Sequence, residues 1–385
     1  MKRFDKIWFY RSLKKTTTMK TQLYIGIMSG TSMDGADAVL IQMHGAKWQR
    51  AIAHAFVPYT SSLKTRLLEL QNIGDNELHR SQMLAIELSE IYAQVVQKIL
   101  QANKLQPENI TAIGCHGQTV RHAPEHGYSV QLANLPLLAE RTGIFTIGDF
   151  RSRDLAAGGQ GAPLVPAFHQ ALFAMPTETR VVLNIGGIAN ISVLPPNGEP
   201  FGFDTGAGNM LMDAWTQHIW QQLYDKNGAK ALRGRVLPEL LAQLKEHEYF
   251  RLPYPKSTGR ELFSLDWLYG YLHHEEDPFD VLRTLVQFTA DTIADAIFQA
   301  APNTQNVYVC GGGIGNETLI CSLKKLFAPH KITVHSTEDL QLNPQWVEAA
   351  AFAWLAACWV NRTPSNPHKA TGANKPLVLG AGHYA

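Results

Sequence analysis

The stretch YIGIMSGTSMDGADAVLIQM, from Tyr24 to Met43, consists of two apolar runs separated by small and polar residues. The apolar runs have the composition of buried β-strands, and Ser29–Gly35 between them contains the glycines and hydroxyl residues of a turn. We therefore predict a strand–turn–strand unit at the start of the fold. The turn is either a plain hairpin or one whose backbone must contact a ligand, and the stretch alone favours neither.

A similar unit occurs later in the chain, in RVVLNIGGIANISVLP from Arg180 to Pro195. Segments with helical spacing of apolar residues, such as 80–103 and 280–300, alternate with short apolar runs such as VYVC. This alternation predicts an α/β protein with largely parallel central strands. The repeated unit predicts two similar halves that face a ligand cleft.

The domain limits follow from these segments. We expect residues 21–152 together with 366–385 to form the first domain and residues 153–365 to form the second. Residues 1–20 are basic and lack a continuous apolar run, so we expect a disordered tail or a start codon upstream of the true one.

Composition excludes several classes of protein. The 385 residues carry a formal net charge of +1, which gives no basic surface for nucleic acid or for anionic lipid. The longest apolar run, Ala349 to Val360, is too short to span a bilayer and predicts a buried helix. Four widely spaced cysteines without a CxxC pair indicate a reducing compartment, and we expect the cytoplasm.

The residues of the first turn suit phosphate binding. Gly30, Thr31, Ser32 and Gly35 offer backbone N–H groups and hydroxyls, although no Walker A lysine follows. The acidic residues of this stretch would hold Mg²⁺ through water or cap the turn.

Asp204 is the strongest candidate for a general base. It follows Phe203 in GFDTGAGNMLMDAW, and we expect it in a glycine-rich bend at a strand end, before a helix that begins near Asn209. Gly206 and Gly208 would let the backbone approach a substrate closely. The alternative is a helix cap, which would not need glycines on both sides.

Two further glycine motifs could contact a nucleotide. Gly186 and Gly187 form a tight turn that mirrors the first one and could also be a simple hairpin. The Gly311–Gly313 run follows a strand and fits the dinucleotide fingerprint poorly, but it suits a nucleotide lying flat against backbone.

Two polar loops contain candidate substrate ligands. GCHGQTVRHAP carries His116 and Gln118, and DFRSRDLAAGGQGAPLVPAFH carries Arg151 and Gln160. Amides and guanidinium groups suit a polyhydroxylated, anionic ligand. For any single residue the alternative is a surface loop that makes its own hydrogen bonds.

Taken together, the motifs resemble one family. MSGTSMDGAD, CHGQT, GDFR, GGQGAPLVPAFH, NIGGIANIS, GFDTGAGNMLMDAW, PKSTGRE and CGGG occur in an order that is similar to that of the anhydro-N-acetylmuramic acid kinases. The resemblance extends from about Tyr24 almost to the end of the chain. One departure is Ala207, where the family usually has proline; alanine frees the φ angle and restores a backbone N–H beside Asp204.

The resemblance implies the actin-like (ribonuclease H-like) fold, with two α/β domains flanking a nucleotide cleft. It implies an ATP-dependent kinase that hydrolyses the anhydro ring of an amino sugar, with Asp204 as base and Glu348 in a supporting catalytic role. It further implies Mg²⁺ as cofactor, a homodimer and a role in peptidoglycan recycling. The resemblance implies that Gly30, Thr31, Ser32, Met33, Asp34, Gly35, Ala36 and Asp37 bind ATP. The glycine motifs add Gly186, Gly187, Gly206, Gly208, Asn209, Gly311, Gly312 and Gly313 to the predicted cofactor-binding residues.

Three other interpretations stay open at this level. A kinase or phosphatase of another small molecule would have the same fold. A nucleotide-operated binding protein, in the manner of heat-shock chaperones, would need a peptide-binding module that the chain does not show. An inactive sugar sensor would not need Asp204.

Overall fold

The computed structural model describes residues 21–30, 32–259, 262–273 and 275–385, so the predicted tail and Thr31 lie outside the described residues. The strands are β1 (Thr21–Ser29), β2 (Gly35–His44), β3 (Lys47–Pro58), β4 (Ile110–Ala123), β5 (Tyr128–Leu132), β6 (Thr146–Gly148), β7 (Thr179–Ile185), β8 (Ile188–Leu194), β9 (Phe201–Ala207), β10 (Thr304–Cys310), β11 (Thr333–Ser336) and β12 (Ala381–His383). The helices are α1 (Ser61–Glu69), α2 (Glu77–Asn103), α3 (Leu135–Thr142), α4 (Ser152–Ala156), α5 (Val165–Phe173), α6 (Met210–Trp220), α7 (Pro238–Lys245), α8 (Leu265–Tyr269), α9 (Pro278–Ala300), α10 (Glu317–Phe327), α11 (Val347–Val360) and α12 (His368–Thr371).

The strands form two sheets with the same central order. The first sheet runs β12-β6-β4-β1-β2-β3 with β5 paired to β4, and the second runs β11-β10-β7-β8-β9. In each sheet three strands form an antiparallel meander, and the next strand of the sheet lies parallel to the first strand of the meander. The α/β class and the two similar halves are therefore confirmed.

The sheets are mixed rather than largely parallel. Short turns join β1 to β2 and β7 to β8, and a short turn can join only antiparallel neighbours. The parallel pairs β1–β4 and β7–β10 are connected through helices, as parallel strands require.

Three clusters of buried apolar side chains define the layers. One lies between the first sheet and α2 and α3, and another lies between the second sheet and α6, α9 and α10. The third contains α11, part of α5 and the inner faces of both sheets. Helix α11 therefore lies between the two halves, buried as its apolar sequence predicts.

Two glycines allow α11 to lie directly on the first sheet. Gly26 in β1 is paired with Gly114 in β4. A Cβ atom on Gly26 would lie 1.9 Å from the carbonyl oxygen of Ala349, and one on Gly114 would lie 2.0 Å from that of Phe352.

The predicted second domain, 153–365, includes α11, whereas α11 packs against β1, β2 and β4. The predicted domain limits stay a prediction.

The stretch GCHGQTVRHAP, predicted to be a polar loop, is not a loop. Strand β4 continues through His116 and Gln118 to Ala123 and then pairs with β5. Ladder pairing with β1 and β5 fixes the backbone of these residues.

Among the residues that the structure describes, no helix is long and apolar enough to cross a membrane.

Candidate active site

A cavity lies against the inner face of the second sheet, between that sheet, α5 and the first turn of α11. Its lining includes backbone and side chains of β7, β8, β9 and β10. The polar residues of the lining are His122, Arg151, Gln160, His169, Asn184, Asn190, Ser192, Asp204, Lys256, Ser257 and Glu348. The predicted base, the predicted supporting carboxylate and two of the predicted substrate residues therefore share one cavity.

Strand pairing and three hydrogen bonds hold Asp204 at the cavity. Its position in β9 is paired with Asn190 of β8, and its backbone N–H donates to the Lys256 carbonyl over 3.0 Å. Its carbonyl accepts a 2.6 Å hydrogen bond from the Tyr249 hydroxyl, and its Oδ2 accepts one of 3.0 Å from the Thr258 N–H. Burial raises the pKa of the Asp204 carboxyl to about 6, against the opposing effect of the Thr258 N–H.

The local structure at Asp204 differs from the predicted bend. Asp204 lies inside β9, which continues to Ala207, and the pairing with β8 shifts register between Ala189 and Asn190. Gly206 adopts a φ of +142°, a conformation that suits glycine at this irregularity. Ala207 is fully buried as the last residue of the strand. Helix α6 then begins after Asn209, as predicted.

Glu348 supplies a second carboxylate from the opposite side. It lies in the first turn of α11, where the Asn184 side chain donates a 3.3 Å hydrogen bond to its Oε1. Burial raises the pKa of Glu348, and the negative charge of Asp37 raises it further, while Arg151 opposes both effects. The cavity therefore has two carboxylates, one from β9 of the second sheet and one from α11, which packs on the first sheet.

Arg151 is one of two cationic side chains that line the cavity, the other being Lys256, and Arg151 is itself positioned by two groups. Its NH1 donates a 2.6 Å hydrogen bond to the Gly161 carbonyl, and its NH2 donates to Nε2 of His116 over 2.9 Å. Burial lowers the pKa of Arg151 to about 10, and burial together with the Arg151 charge holds the pKa of His116 well below its usual range. His116 is thus a neutral acceptor that orients Arg151 and does not line the cavity.

Gln160 and Gln118, both predicted to bind substrate, have different surroundings. Gln160 lines the cavity, and its N–H donates to the Thr371 carbonyl over 2.8 Å. Gln118 instead accepts a short hydrogen bond from the Ser29 hydroxyl and donates to the Gly30 carbonyl over 3.3 Å. The structure places Gln118 against the first glycine turn.

At three of the predicted cofactor glycines a Cβ atom would meet its nearest neighbour only at ordinary van der Waals distance. The nearest atom to a hypothetical Cβ lies at 3.8 Å for Gly30, 3.6 Å for Gly186 and 4.0 Å for Gly312. Backbone of this kind can be approached closely by a ligand such as a phosphate chain. The described residues therefore fit a nucleotide at these turns.

The other glycines are needed for packing. A Cβ would lie 2.3 Å from the Val57 carbonyl at Gly35, 2.4 Å from the Gly186 carbonyl at Gly208, and 2.3 Å from Ile185 or Asn184 at Gly313 and Gly311. The carbonyl of Gly187 accepts hydrogen bonds from the N–H groups at the start of α6, and the Asn209 side chain donates to the Ile185 carbonyl over 3.3 Å. Gly35 thus allows close packing of β2 on β3, and the other residues hold the turns of the second half together.

The remaining residues of the first turn are held by nearby side chains. Asp34 is exposed and lies 3.2 Å from Lys64, and Asp37 lies 2.8 Å from Nε2 of His54. Met33 and Ala36 are fully buried in the core. Across 21–30, 32–259, 262–273 and 275–385, no three His, Cys, Asp or Glu side chains form a metal-binding group.

Four polar residues of the cavity lining were not predicted as site residues, namely His169, Asn184, Asn190 and Ser192. Asn190 and Ser192 alternate with apolar residues in β8, so both project to the cavity face. That alternation of polar residues inside an otherwise apolar strand is a signal that the sequence contains. The contribution of α5 has no such signal, because only the folded chain brings α5 to the sheet.

Comparison with known proteins identifies the family. The family model described as anhydro-N-acetylmuramic acid kinase matches residues 22–385. A protein of that name from Neisseria meningitidis serogroup B is 66% identical over 366 residues, covering 95% of this chain and 100% of the relative. Those from Chromobacterium violaceum and Nitrosomonas europaea are 50% and 49% identical over 94% and 93% of this chain and 99% and 98% of their own. The chain therefore belongs to the anhydro-N-acetylmuramic acid kinase family.

Proposed function

We propose that the protein cleaves the anhydro bridge of 1,6-anhydro-N-acetylmuramic acid and transfers the γ-phosphoryl group of ATP to the freed 6-oxygen. The products are N-acetylmuramic acid 6-phosphate and ADP, and the reaction recycles peptidoglycan. The observation that carries this proposal is the Asp204 carboxylate, buried at the cavity with a pKa of about 6. Family membership supplies the substrate class.

Asp204 acts as the general base. It takes a proton from water, whose oxygen attacks the anomeric carbon C1, and the C1–O6 bond breaks with its electron pair on O6. Because Asp204 is ionised above pH 6 and faces the cavity, it can accept that proton at neutral pH. Ring opening converts a bridging ether oxygen into a nucleophile, and this links hydrolysis to phosphorylation.

Phosphoryl transfer follows at O6. The O6 atom attacks the γ-phosphorus and the bond to the β-phosphate oxygen breaks, which releases ADP. Such a transfer depends on alignment and on stabilisation of negative charge. The open backbone at Gly30, Gly186 and Gly312 would align the phosphates, and the Arg151 guanidinium adds positive charge at the cavity.

Mg²⁺ belongs to this proposal as the phosphate counter-ion. The acidic side chains of the first turn and of β2 fit a water-mediated role: Asp34 is exposed, and Asp37 is close enough to Glu348 to influence its pKa. When bound, the ion would neutralise charge on the phosphates. The homodimer and the cytoplasmic location, both implied by the family, are part of the same proposal.

The test is product analysis with purified protein, ATP, Mg²⁺ and 1,6-anhydro-N-acetylmuramic acid. We expect ADP release that depends on the sugar and a product carrying phosphate on O6, identified by mass and by ³¹P–¹H NMR. If ADP release does not depend on this sugar but depends on another sugar, the substrate assignment changes to that other sugar. Turnover without any sugar dependence would contradict the proposal.

A further inference from the structure

One buried histidine faces the cavity and has no part in the reaction described above. His169 lies in α5, is only 2% exposed and lines the same cavity as Asp204. Phe168 and Phe173 contact its ring, with centroid distances of 6.1 and 5.9 Å. Its Nδ1 lies 2.9 Å from the Ser192 hydroxyl oxygen, so the ring orientation is fixed from two sides.

The partners of His169 fit one tautomer of its ring. Within the described residues Nε2 has no hydrogen-bond partner, and Nδ1 is the partner that the structure gives to the Ser192 hydroxyl. If the hydroxyl donates to Nδ1, the ring proton must be on Nε2. Burial lowers the pKa of His169 to about 3, so the ring is neutral at physiological pH. Nε2–H is then an unpaired, buried donor at the cavity, and a buried donor is costly to leave unpaired.

The sheet register places this donor relative to the base. Asp204 is paired with Asn190, and the next pair on the same face is Gly202 with Ser192. Two residues along a strand advance about 6.8 Å. Ser192, which contacts His169, therefore lies one strand repeat from the residue that pairs with the base, a span that a substituent on the ring carbon next to the anomeric carbon can cover.

Much of the cavity lining on the side of α5 and β8 is apolar. Leu164, Val165, Pro166 and Ile191 line the same cavity. A neutral donor beside apolar side chains suits a neutral carbonyl that carries a methyl group, as in an acetamido substituent. A carboxylate would be better matched by a cation, and the cavity offers one in Arg151.

We propose that the Nε2–H of His169 donates a hydrogen bond to the acetamido carbonyl oxygen of the sugar and selects substrates that carry this group. This assignment rests on the proposed function, because it takes an anhydro amino sugar as substrate. Ser192 is a positioning residue, since it acts by keeping Nδ1 unprotonated.

The test compares kcat/KM of the wild type and His169→Phe on two substrates. These are 1,6-anhydro-N-acetylmuramic acid and its 2-deoxy analogue, which lacks the acetamido group. We expect His169→Phe to lose about 10- to 100-fold on the first substrate and less than about 3-fold on the second. An equal loss on both substrates would mean a structural role and would overturn the proposal, and so would no loss on either.

Two further variants keep the test decisive if His169→Phe does not fold. His169→Gln places an amide N–H near the position of Nε2–H and should recover part of the lost activity on the acetylated substrate. Ser192→Ala should show a smaller loss of kcat/KM, and that loss should again be larger on the acetylated substrate than on the 2-deoxy analogue. Loss in either variant that does not depend on the acetamido group contradicts the assignment.

The lactyl group is the competing recognition element. The sugar 1,6-anhydro-N-acetylglucosamine has the acetamido group but no lactyl group. Its inhibition constant should rise in His169→Phe by the same factor by which kcat/KM falls on 1,6-anhydro-N-acetylmuramic acid. An unchanged inhibition constant would assign His169 to the lactyl group and overturn the proposal. A wild type that phosphorylates none of these sugars would instead overturn the proposed function.

Discussion

The two halves share a strand order but not a chemistry. In each half the first strand of the meander leads into a short turn, and the third strand lies at the sheet edge. The third strand of the second half, β9, carries Asp204, whereas β3 in the first half contains no Asp or Glu. The first half instead provides the Gly30 turn and the surface on which α11 presents Glu348. A duplicated architecture thus provides two walls, and only one of them carries the base.

The largest effect should come from removing that base. Asp204→Asn keeps the shape and can still accept the Thr258 N–H, but it cannot take a proton. We expect kcat to fall by about 10³-fold while ATP affinity and the circular dichroism spectrum stay unchanged. Steady-state ADP release and nucleotide titration measure both quantities.

Glu90→Gln is the matched control for this substitution. Glu90 is a carboxylate of the first half that pairs with Arg141 near the surface, 2.8 Å away. Its loss should leave kcat within about twofold, because an exposed ion pair contributes little. Similar losses in Asp204→Asn and Glu90→Gln would remove the asymmetry between the halves.

The next effect concerns the contact between α11 and the first sheet. Gly114→Val would push a side chain into the Phe352 backbone, since even a Cβ would lie 2.0 Å from its carbonyl oxygen. We expect the free energy of unfolding to fall by about 3 kcal/mol, measured by urea denaturation. Gly74→Ala, where a Cβ meets only the Arg80 side chain at 3.4 Å, should change it by less than about 1 kcal/mol. Equal stability of the two variants would contradict the described packing.

Gly30 in the first half and Gly312 in the second half should both affect the affinity for ATP. Gly30→Val and Gly312→Val have room to fold, because the nearest atoms to a Cβ are 3.8 and 4.0 Å away. The added side chains would cover backbone N–H groups, so we expect the Kd for ATP to rise at least about tenfold in each variant. Calorimetric titration tests this, and unchanged affinity in Gly30→Val would make the first turn a plain hairpin.

The sequence predicted the two strand–turn–strand units with their glycine turns, since these are local patterns, and it singled out Asp204, which the structure places at the cavity. It placed Asp204 in a bend and His116 in a loop, because glycines and polar residues favour turns while ladder pairing with neighbouring strands is not visible in a single segment. The location of α11 and the approach of His169 to β8 depend on tertiary packing. Gly35 was predicted to contact phosphate, yet the carbonyl of Val57 lies where its Cβ would be, which only the neighbouring strand reveals.

The activity of the wild type should depend on pH through Asp204. Its pKa of about 6 means that the base is protonated and inactive below that value. We expect kcat/KM for the sugar to fall about tenfold per pH unit below pH 6 and to level off above it. A profile that is flat between pH 5 and 7 would contradict the assignment of Asp204 as base.

The smallest effect is on stability and has the opposite sign to the effect on activity. The folded-state pKa of Asp204 is raised above the usual 3.8, so its contribution to stability is fully present below pH 3.8 and is lost as the pH rises through 6. Asp204→Asn should therefore melt about 2 °C higher than the wild type at pH 8 and no higher at pH 3.5. Identical melting temperatures at both pH values would argue against burial of a charged Asp204.

The most direct test of the account is the reaction in ¹⁸O-labelled water with ATP and 1,6-anhydro-N-acetylmuramic acid. A water activated by Asp204 must place its oxygen on C1, while the sugar's own bridging oxygen receives the phosphate. We predict one ¹⁸O atom at the anomeric hydroxyl, read by mass spectrometry immediately after turnover, and none in the phosphate ester bond. Label in the bond between C6 and phosphorus, or an unlabelled anomeric hydroxyl, would contradict the coupled mechanism.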